Sequence, residues 1–205
     1  MKDHIVHKAS ELFLNYGFKS VTMDDIAQEL GISKKTIYTY FKTKSDLVDA
    51  TTMSIFELIS GEINRICALE KNPIEEIYDI KQTIMGHLKN EKSSPQYQLE
   101  KYYPKTYKSL KQKQFDMMQT CVHQNLTRGV EIGVYRDTIH VPFISKIYFY
   151  TLLTIRNNDN FPLVENSLSE LLEQFYEYHL RGICTPKGLN VLDRFIKLNT
   201  TQPHE

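Results

Sequence analysis

Apolar side chains recur every three to four positions along nearly the whole chain, the spacing that places them on one side of a helix. Ile5, Ala9, Leu12, Phe13 and Tyr16 make the first such face, and Gly17 follows as a stop. Thr22 is placed to cap a second helix, with Asp24 and Asp25 in the first turn, where the helix dipole favours acids. Ile26, Ala27 and Leu30 face inward until Gly31. Ser33 caps a third helix that reaches about Phe41. Ser45 and Asp46 open a long fourth helix to about Leu69, and Pro73 starts a fifth.

The same periodicity continues. Ser94-Pro95 begins a short helix, which Tyr103-Pro104 ends while opening a long one. Gly129 and Gly133 mark the end of that helix, and an irregular link runs through Val141. Pro142 starts another helix that should stop at the polar run 157–160. Leu163, Val164, Leu168, Leu171, Leu172, Phe175, Tyr176, His179, Leu180 and Ile183 form one stripe, which Pro186 and Gly188 are expected to break. A final amphipathic piece covers Leu189 and Leu198. No Asn-Gly or Asp-Gly hairpin signal interrupts the pattern. The predicted fold is all-α: an N-terminal three-helix helix-turn-helix domain over 1–48, then a helical domain over 49–205, joined inside the fourth helix without a Gly/Ser linker.

Composition narrows the picture only a little. The 205 residues carry 25 Lys plus Arg against 25 Asp plus Glu, so no basic coat covers the protein, although a local basic patch is allowed. The longest mostly apolar run, 147–155, is too short to span a bilayer. The opening MKDHIVHKASELF interleaves charge with its apolar positions and does not read as a targeting peptide. Cys67, Cys121 and Cys184 are odd in number and far apart, so no disulfide framework or C-x-x-C metal pair can be read from them, and a reducing cytoplasm fits best.

The informative segment is residues 22–44, TMDDIAQELGISKKTIYTYFKTK. Small Ala27 lets two helices cross closely, Gly31 can take the positive φ of the turn, and Ile32 plugs the corner. At about 100° per residue, Ile37 and Phe41 project together toward the first two helices. Lys35, Thr36, Tyr38 and Thr39 project away. Short hydroxyls and methyls fit base edges, Lys reaches guanine acceptors, and a Tyr hydroxyl reaches phosphate. Lys34, Lys35, Lys42 and Lys44 lie in an acid-free run, a concentration of charge that the neutral chain does not require.

Phe13, Gly17, Thr22, Ile26, Ala27, Gly31, Ser33, Ile37, Tyr38, Tyr40, Phe41, Lys44 and Leu47 stand in an order and spacing that resembles the DNA-binding domain of TetR-type bacterial regulators. The resemblance covers about the first fifty residues; beyond them only length and helical pattern are similar. It implies that Lys34, Lys35, Thr36 and Tyr38 sit at base edges, and that Thr22, Tyr40 and Lys44 hold phosphates. Ser33 and Thr39 complete the expected DNA-binding set. Family members often have Gly or Ala where this chain has Lys35. The resemblance also implies a homodimer on palindromic double-stranded DNA and repression relieved by a small molecule, with no cofactor and no membrane partner.

Helix faces supply the remaining expectations. Ile63, Cys67, Met85, Tyr103, Met118, Cys121, Val122 and Tyr148 suggest an apolar, aromatic ligand wall. Phe143, Ile147 and Tyr150, with Leu168, Leu172, Phe175, Tyr176 and His179, suggest a two-helix dimer face. A second acid-free run, Lys101, Lys105, Lys108, Lys111 and Lys113, reads as a solvated helix face. His4 and His7 lie one turn apart without a partner to make a metal site, and no nucleophile elbow or phosphate loop is present, so no metal, cofactor or catalysis is expected. The alternative to a ligand-responsive repressor is a DNA-tethered adaptor whose helical domain binds a protein.

Overall fold

A computed structural model of the chain describes residues 1–88, 95–155 and 167–200. Among them lie ten α-helices: α1 (Lys2–Tyr16), α2 (Met23–Leu30), α3 (Lys34–Tyr40), α4 (Lys44–Ala68), α5 (Pro73–Leu88), α6 (Pro95–Tyr102), α7 (Pro104–Glu131), α8 (Val141–Ile155), α9 (Leu168–Ile183) and α10 (Pro186–Thr200). The fold is all-α, and its one extended pairing among these residues is an isolated bridge between Tyr135 and Cys184. The polar run at 157–160, Leu163, Val164 and Ser94 lie outside the described residues.

Local chemistry sets the first helices. Thr22 and Asp25 satisfy one another's backbone in a reciprocal cap: the Thr22 N–H donates to Asp25 at 2.7 Å and the Asp25 N–H to Thr22 Oγ1 at 3.2 Å. Gly31 ends α2 in the left-handed region at φ 63°, where a side chain would be strained. Ser33 Oγ accepts the Thr36 N–H at 3.1 Å and caps α3. The start of α4 departs from expectation. Thr43, not Ser45, is the cap, because Thr43 and Asp46 repeat the reciprocal arrangement at 2.9 and 3.1 Å.

The chain packs into two units, one of residues 1–62 with 86–114, the other of 63–85 with the chain from 115 onward. The sequence boundary near residue 48 falls inside α4, which continues unbroken to Ala68. The first unit centres on Ile5, Ala9, Phe13, Ile26, Ala27, Ile37, Phe41, Leu47 and Val48, all buried. Leu99 from α6 joins that cluster, and Phe18 stacks between Phe13 (5.1 Å) and Tyr103 (6.2 Å). The Lys19 N–H donates to Gln98 Oε1 at 3.1 Å, tying α6 to the turn after α1.

The second unit buries Ile74, Ile77, Leu126, Val134, Leu172, Leu180, Ile183 and Leu192 around an unusually polar interior. Glu76, almost wholly buried, pairs with Arg128 and accepts from Asn125 Nδ2 at 2.8 Å. Asn125 also donates to the Pro73 carbonyl at 2.9 Å and accepts the Tyr135 hydroxyl at 3.2 Å. A buried carboxylate persists because every partner is supplied. Nearby, the Tyr148 hydroxyl donates to Tyr176 at 3.1 Å, with the Phe175 and His179 rings within 6 Å of Tyr148.

The last helix does not wait until Leu189 to begin. Pro186 and Gly188 follow the expected break after Ile183, but they open α10 rather than precede it. Pro186 occupies the first helical position, where its missing N–H costs nothing, and Thr185 Oγ1 accepts the Gly188 N–H at 3.1 Å. Gly188 is required because a Cβ there would collide with the Val134 carbonyl oxygen. Nor are all three cysteines free. Cys67 and Cys121 are joined in a disulfide between α4 and α7, 54 residues apart, and only Cys184 is a thiol. Helical spacing within each segment says nothing about which turn of one helix meets which turn of another.

Candidate nucleic-acid interface

The site is built around α3. Its inner edge is locked by Ile37, which is fully buried, and by Phe41 just past its end. That packing leaves one way for the rest to point. Ser33, Lys34, Lys35, Tyr38, Thr39 and Tyr40 are exposed, and Thr36 is half-buried. Tyr38 and Tyr40 keep 41% and 44% of their surface open, unusual for aromatics in a small core and available for contact with another molecule.

The hydroxyls are oriented rather than loose. Ser33 Oγ and Thr36 Oγ1 lie 2.8 Å apart, and Thr39 Oγ1 donates to the Thr36 carbonyl at 2.6 Å. Thr22 is exposed at the N-terminus of α2, so the hydroxyl used in capping still faces outward. Lys44 opens α4; its ammonium donates to the Lys19 carbonyl at 3.3 Å and lies 5.9 Å from the Phe13 ring centre. Partial burial pulls that amine below its ordinary range, while Asp25 opposes the shift.

Three features escaped the sequence reading. Lys34 does not point freely outward: it donates to Asp24 at 2.7 Å, an exposed pair that raises the ammonium. Lys2 lies 5.8 Å from the Phe41 ring, bringing a cation from α1 to the end of α3. Lys19 lies 5.0 Å from the Tyr102 ring. Pairs separated by ten, thirty-nine and eighty-three residues have no periodic signature. The lysines around α3 are therefore not alike: Lys2 and Lys19 lie over rings, Lys44 is bonded to the Lys19 carbonyl, Lys35 and Lys42 are exposed, and Lys34 is held by an acid.

The second lysine run behaves largely as a solvated face. Lys101 donates to the Tyr97 hydroxyl at 3.0 Å, and Lys113 sits 5.9 Å from the Phe56 ring. Lys105, Lys108 and Lys113 border an open groove of about 450 Å³ on α7.

Among the expected ligand-wall residues, Met85, Met118, Val122 and Tyr148 pack on one cluster of the second unit, Ile63 is buried, and Cys67 is bonded to Cys121. Tyr103 belongs instead to the first unit, against Phe18. The expected dimer residues divide by helix. On α8, Phe143, Ile147 and Tyr150 are 57%, 44% and 52% exposed. On α9, Leu172, Phe175, Tyr176 and His179 are buried within their own unit, and Leu168 packs against the same cluster. Burial pushes the His179 imidazole down to about 4, so it is neutral near pH 7.

Residues 5–51 match the model of the family described as "Bacterial regulatory proteins, tetR family". The chain is 26% identical over 76 residues to the HTH-type transcriptional repressor KstR2 of Mycolicibacterium smegmatis, covering 37% of each protein. It is 32% identical over 63 residues to IcaR of Staphylococcus aureus, the negative regulator of a biofilm operon, covering 31% of this chain and 34% of that one. The matched segment thus spans about a third of the length of these curated relatives. A transcriptional regulator from Cytophaga hutchinsonii shares the fold across 89% of this chain and 98% of its own, with a TM-score of 0.69 at 18% identity.

Proposed function

We propose that this chain, whose residues 5–51 match the tetR-family model, is a sequence-specific DNA-binding repressor, homodimeric on a palindromic operator and released by a small hydrophobic or aromatic molecule. The observation that carries the reading is the division of α3 into a buried edge, Ile37, and an open face of Lys35, Tyr38, Thr39 and Tyr40. A helix held by one edge and presenting hydroxyls, methyls and cations on the other suits a major groove. Thr22, Tyr40 and Lys44 hold the flanking phosphates, and Lys35, Thr36 and Tyr38 meet the bases, joined by Lys34 once it exchanges its Asp24 partner for DNA.

Residues 1–48 form the reading domain, and 49–205 the ligand-binding and dimerisation domain. One seven-residue helix reads too few base pairs to be specific, so a two-fold partner is needed. The exposed i, i+4, i+7 row of Phe143, Ile147 and Tyr150 supports α8 as part of that contact. The effector meets the apolar wall of Met85, Met118, Val122 and Tyr148, and it must bind the DNA-free form more tightly, because coupling is reciprocal.

Selection of bound sequences from random duplexes tests this directly. We expect a palindromic consensus. Thr36→Ala should change the preferred base at one position of each half-site, whereas Tyr40→Ala, at a phosphate contact, should weaken binding to all sequences. Wild-type affinity and preference in both variants would overturn the assignment of α3.

A further inference from the structure

The disulfide between Cys67 and Cys121 has no part in the reading of α3. Cys67 lies in the last turn of α4 and is half-buried; Cys121 lies within α7 with 7% of its surface open. Cys184, the remaining cysteine, is buried, and burial pushes its thiol up to about 11. We propose that Cys67 and Cys121 form a reversible thiol–disulfide site that reacts with small disulfides, and that its oxidation state sets operator affinity. The second half rests on the DNA-binding reading above; the first does not.

Unequal exposure orders the chemistry. In the reduced protein Cys67 is the thiol a reagent can reach. It gives its proton to solvent, and the thiolate attacks one sulfur of the small disulfide. That S–S bond breaks, one small thiolate leaves and takes up a proton, and Cys67 is left in a mixed disulfide. Cys121 then loses its proton and attacks the Cys67 sulfur, expelling the second small thiol. The sum is two cysteine thiols and one small disulfide giving one protein disulfide and two small thiols, with two electrons passing from protein to reagent. Cys121 is too enclosed to meet a bulky reagent first, so it resolves rather than initiates.

The consequence follows from chain continuity. Lys44 opens α4, and Cys67 lies 23 residues further along the same unbroken helix, about 35 Å at 1.5 Å per residue. Just beyond, Glu70 takes a left-handed conformation at φ 48° and turns the chain away. The S–S bond is thus a covalent tie between the far end of this helix and α7. Reduction leaves that end held by side-chain packing and hydrogen bonds alone. An effect on the helix that carries Lys44 is an effect on the phosphate contacts Lys44 makes.

The test uses the full chain in buffers poised with reduced or oxidised glutathione, read by peptide mapping after alkylation and by titration with the selected operator. We expect a crosslinked Cys67–Cys121 peptide in the oxidised sample, and alkylation of both residues but not native Cys184 in the reduced one. Operator dissociation constants should differ between the two by on the order of fivefold or more. Cys67→Ser and Cys121→Ser should each abolish the difference, and Cys184→Ser should retain it. Absence of the crosslink, or a crosslink through Cys184, overturns the site. A crosslink with equal operator affinity in both states overturns its regulatory role. Failure to bind any duplex in either state overturns the proposed function and this role together, while the wild-type mapping, which needs no variant to fold, still decides the sulfur chemistry.

Discussion

The first unit, which holds the proposed DNA-reading head, and the second unit differ in how they satisfy polar groups. In the head the helix caps are closed three residues away: Thr22 with Asp25, Ser33 with Thr36, Thr43 with Asp46. These caps lie toward the surface, and among the described residues the buried interior of the first unit is apolar apart from Thr51, Thr52 and Thr106. The second unit also has a local cap, at Thr185, but adds buried polar pairs at long range. Glu76 and Arg128 are 52 residues apart, Asn125 and Glu76 are 49 apart, and Tyr148 and Tyr176 are 28 apart. Short-range caps leave an outer face uncommitted, which a DNA reader requires. Long-range buried pairs fix a particular interior, at the cost of dependence on every partner.

That contrast can be broken most severely at Glu76. Glu76→Ala would remove the carboxylate that Arg128 and Asn125 share, leaving them only the Lys71 and Pro73 carbonyls, and urea unfolding should show a loss of about 3 kcal/mol. A loss below about 1 kcal/mol would mean the network is not integral to the second unit. His179 comes next. Its folded-state pKa of about 4 lies below the ordinary 6.5, so the unfolded chain binds the proton first as pH falls. The stability is complete above pH 6.5 and declines between pH 6.5 and 4, by about 3 kcal/mol at the lower end. His179→Phe should flatten that part of the stability–pH curve, and an unchanged slope would contradict the burial argument.

The head should be more forgiving. Thr22→Ala removes one reciprocal cap and should lower thermal stability by about 1 kcal/mol, with the exposed surface otherwise intact. Smallest in stability, but plainest in function, is Lys44→Ala. It should leave unfolding nearly unchanged while reducing the slope of log affinity against log salt by about 0.9 for one phosphate contact. An unaltered slope would remove Lys44 from the DNA contacts.

What the sequence makes legible follows the same division. Helices α1 to α3, their glycine and side-chain caps and the inward edge of Ile37 and Phe41 are written in residues one to four positions apart and are found where the pattern puts them, except that Tyr16, expected on the inner face of α1, is exposed. The other departures lie at larger separations. Asp24 restrains Lys34 across the corner, and Lys2 comes to the end of α3 from the far end of α1. On α9 the apolar stripe was read as a dimer face, but the same residues fill their own unit. Periodicity identifies a sticky face without saying what it meets.

Chain-local chemistry, then, dictated the helical class, most helix ends and the likeness of the first fifty residues to the tetR-family model. Caps, glycine turns and i, i+4 faces need only neighbours that covalent bonds already hold close. Packing settled the rest: the union of Cys67 with Cys121, the enclosure of Glu76, the need for a glycine at 188 beneath the Val134 carbonyl, and the exposure of Phe143, Ile147 and Tyr150 while their α9 counterparts turned inward. These depend on which face of one helix meets which face of another, a relation between segments tens of residues apart that no period of 3.6 encodes.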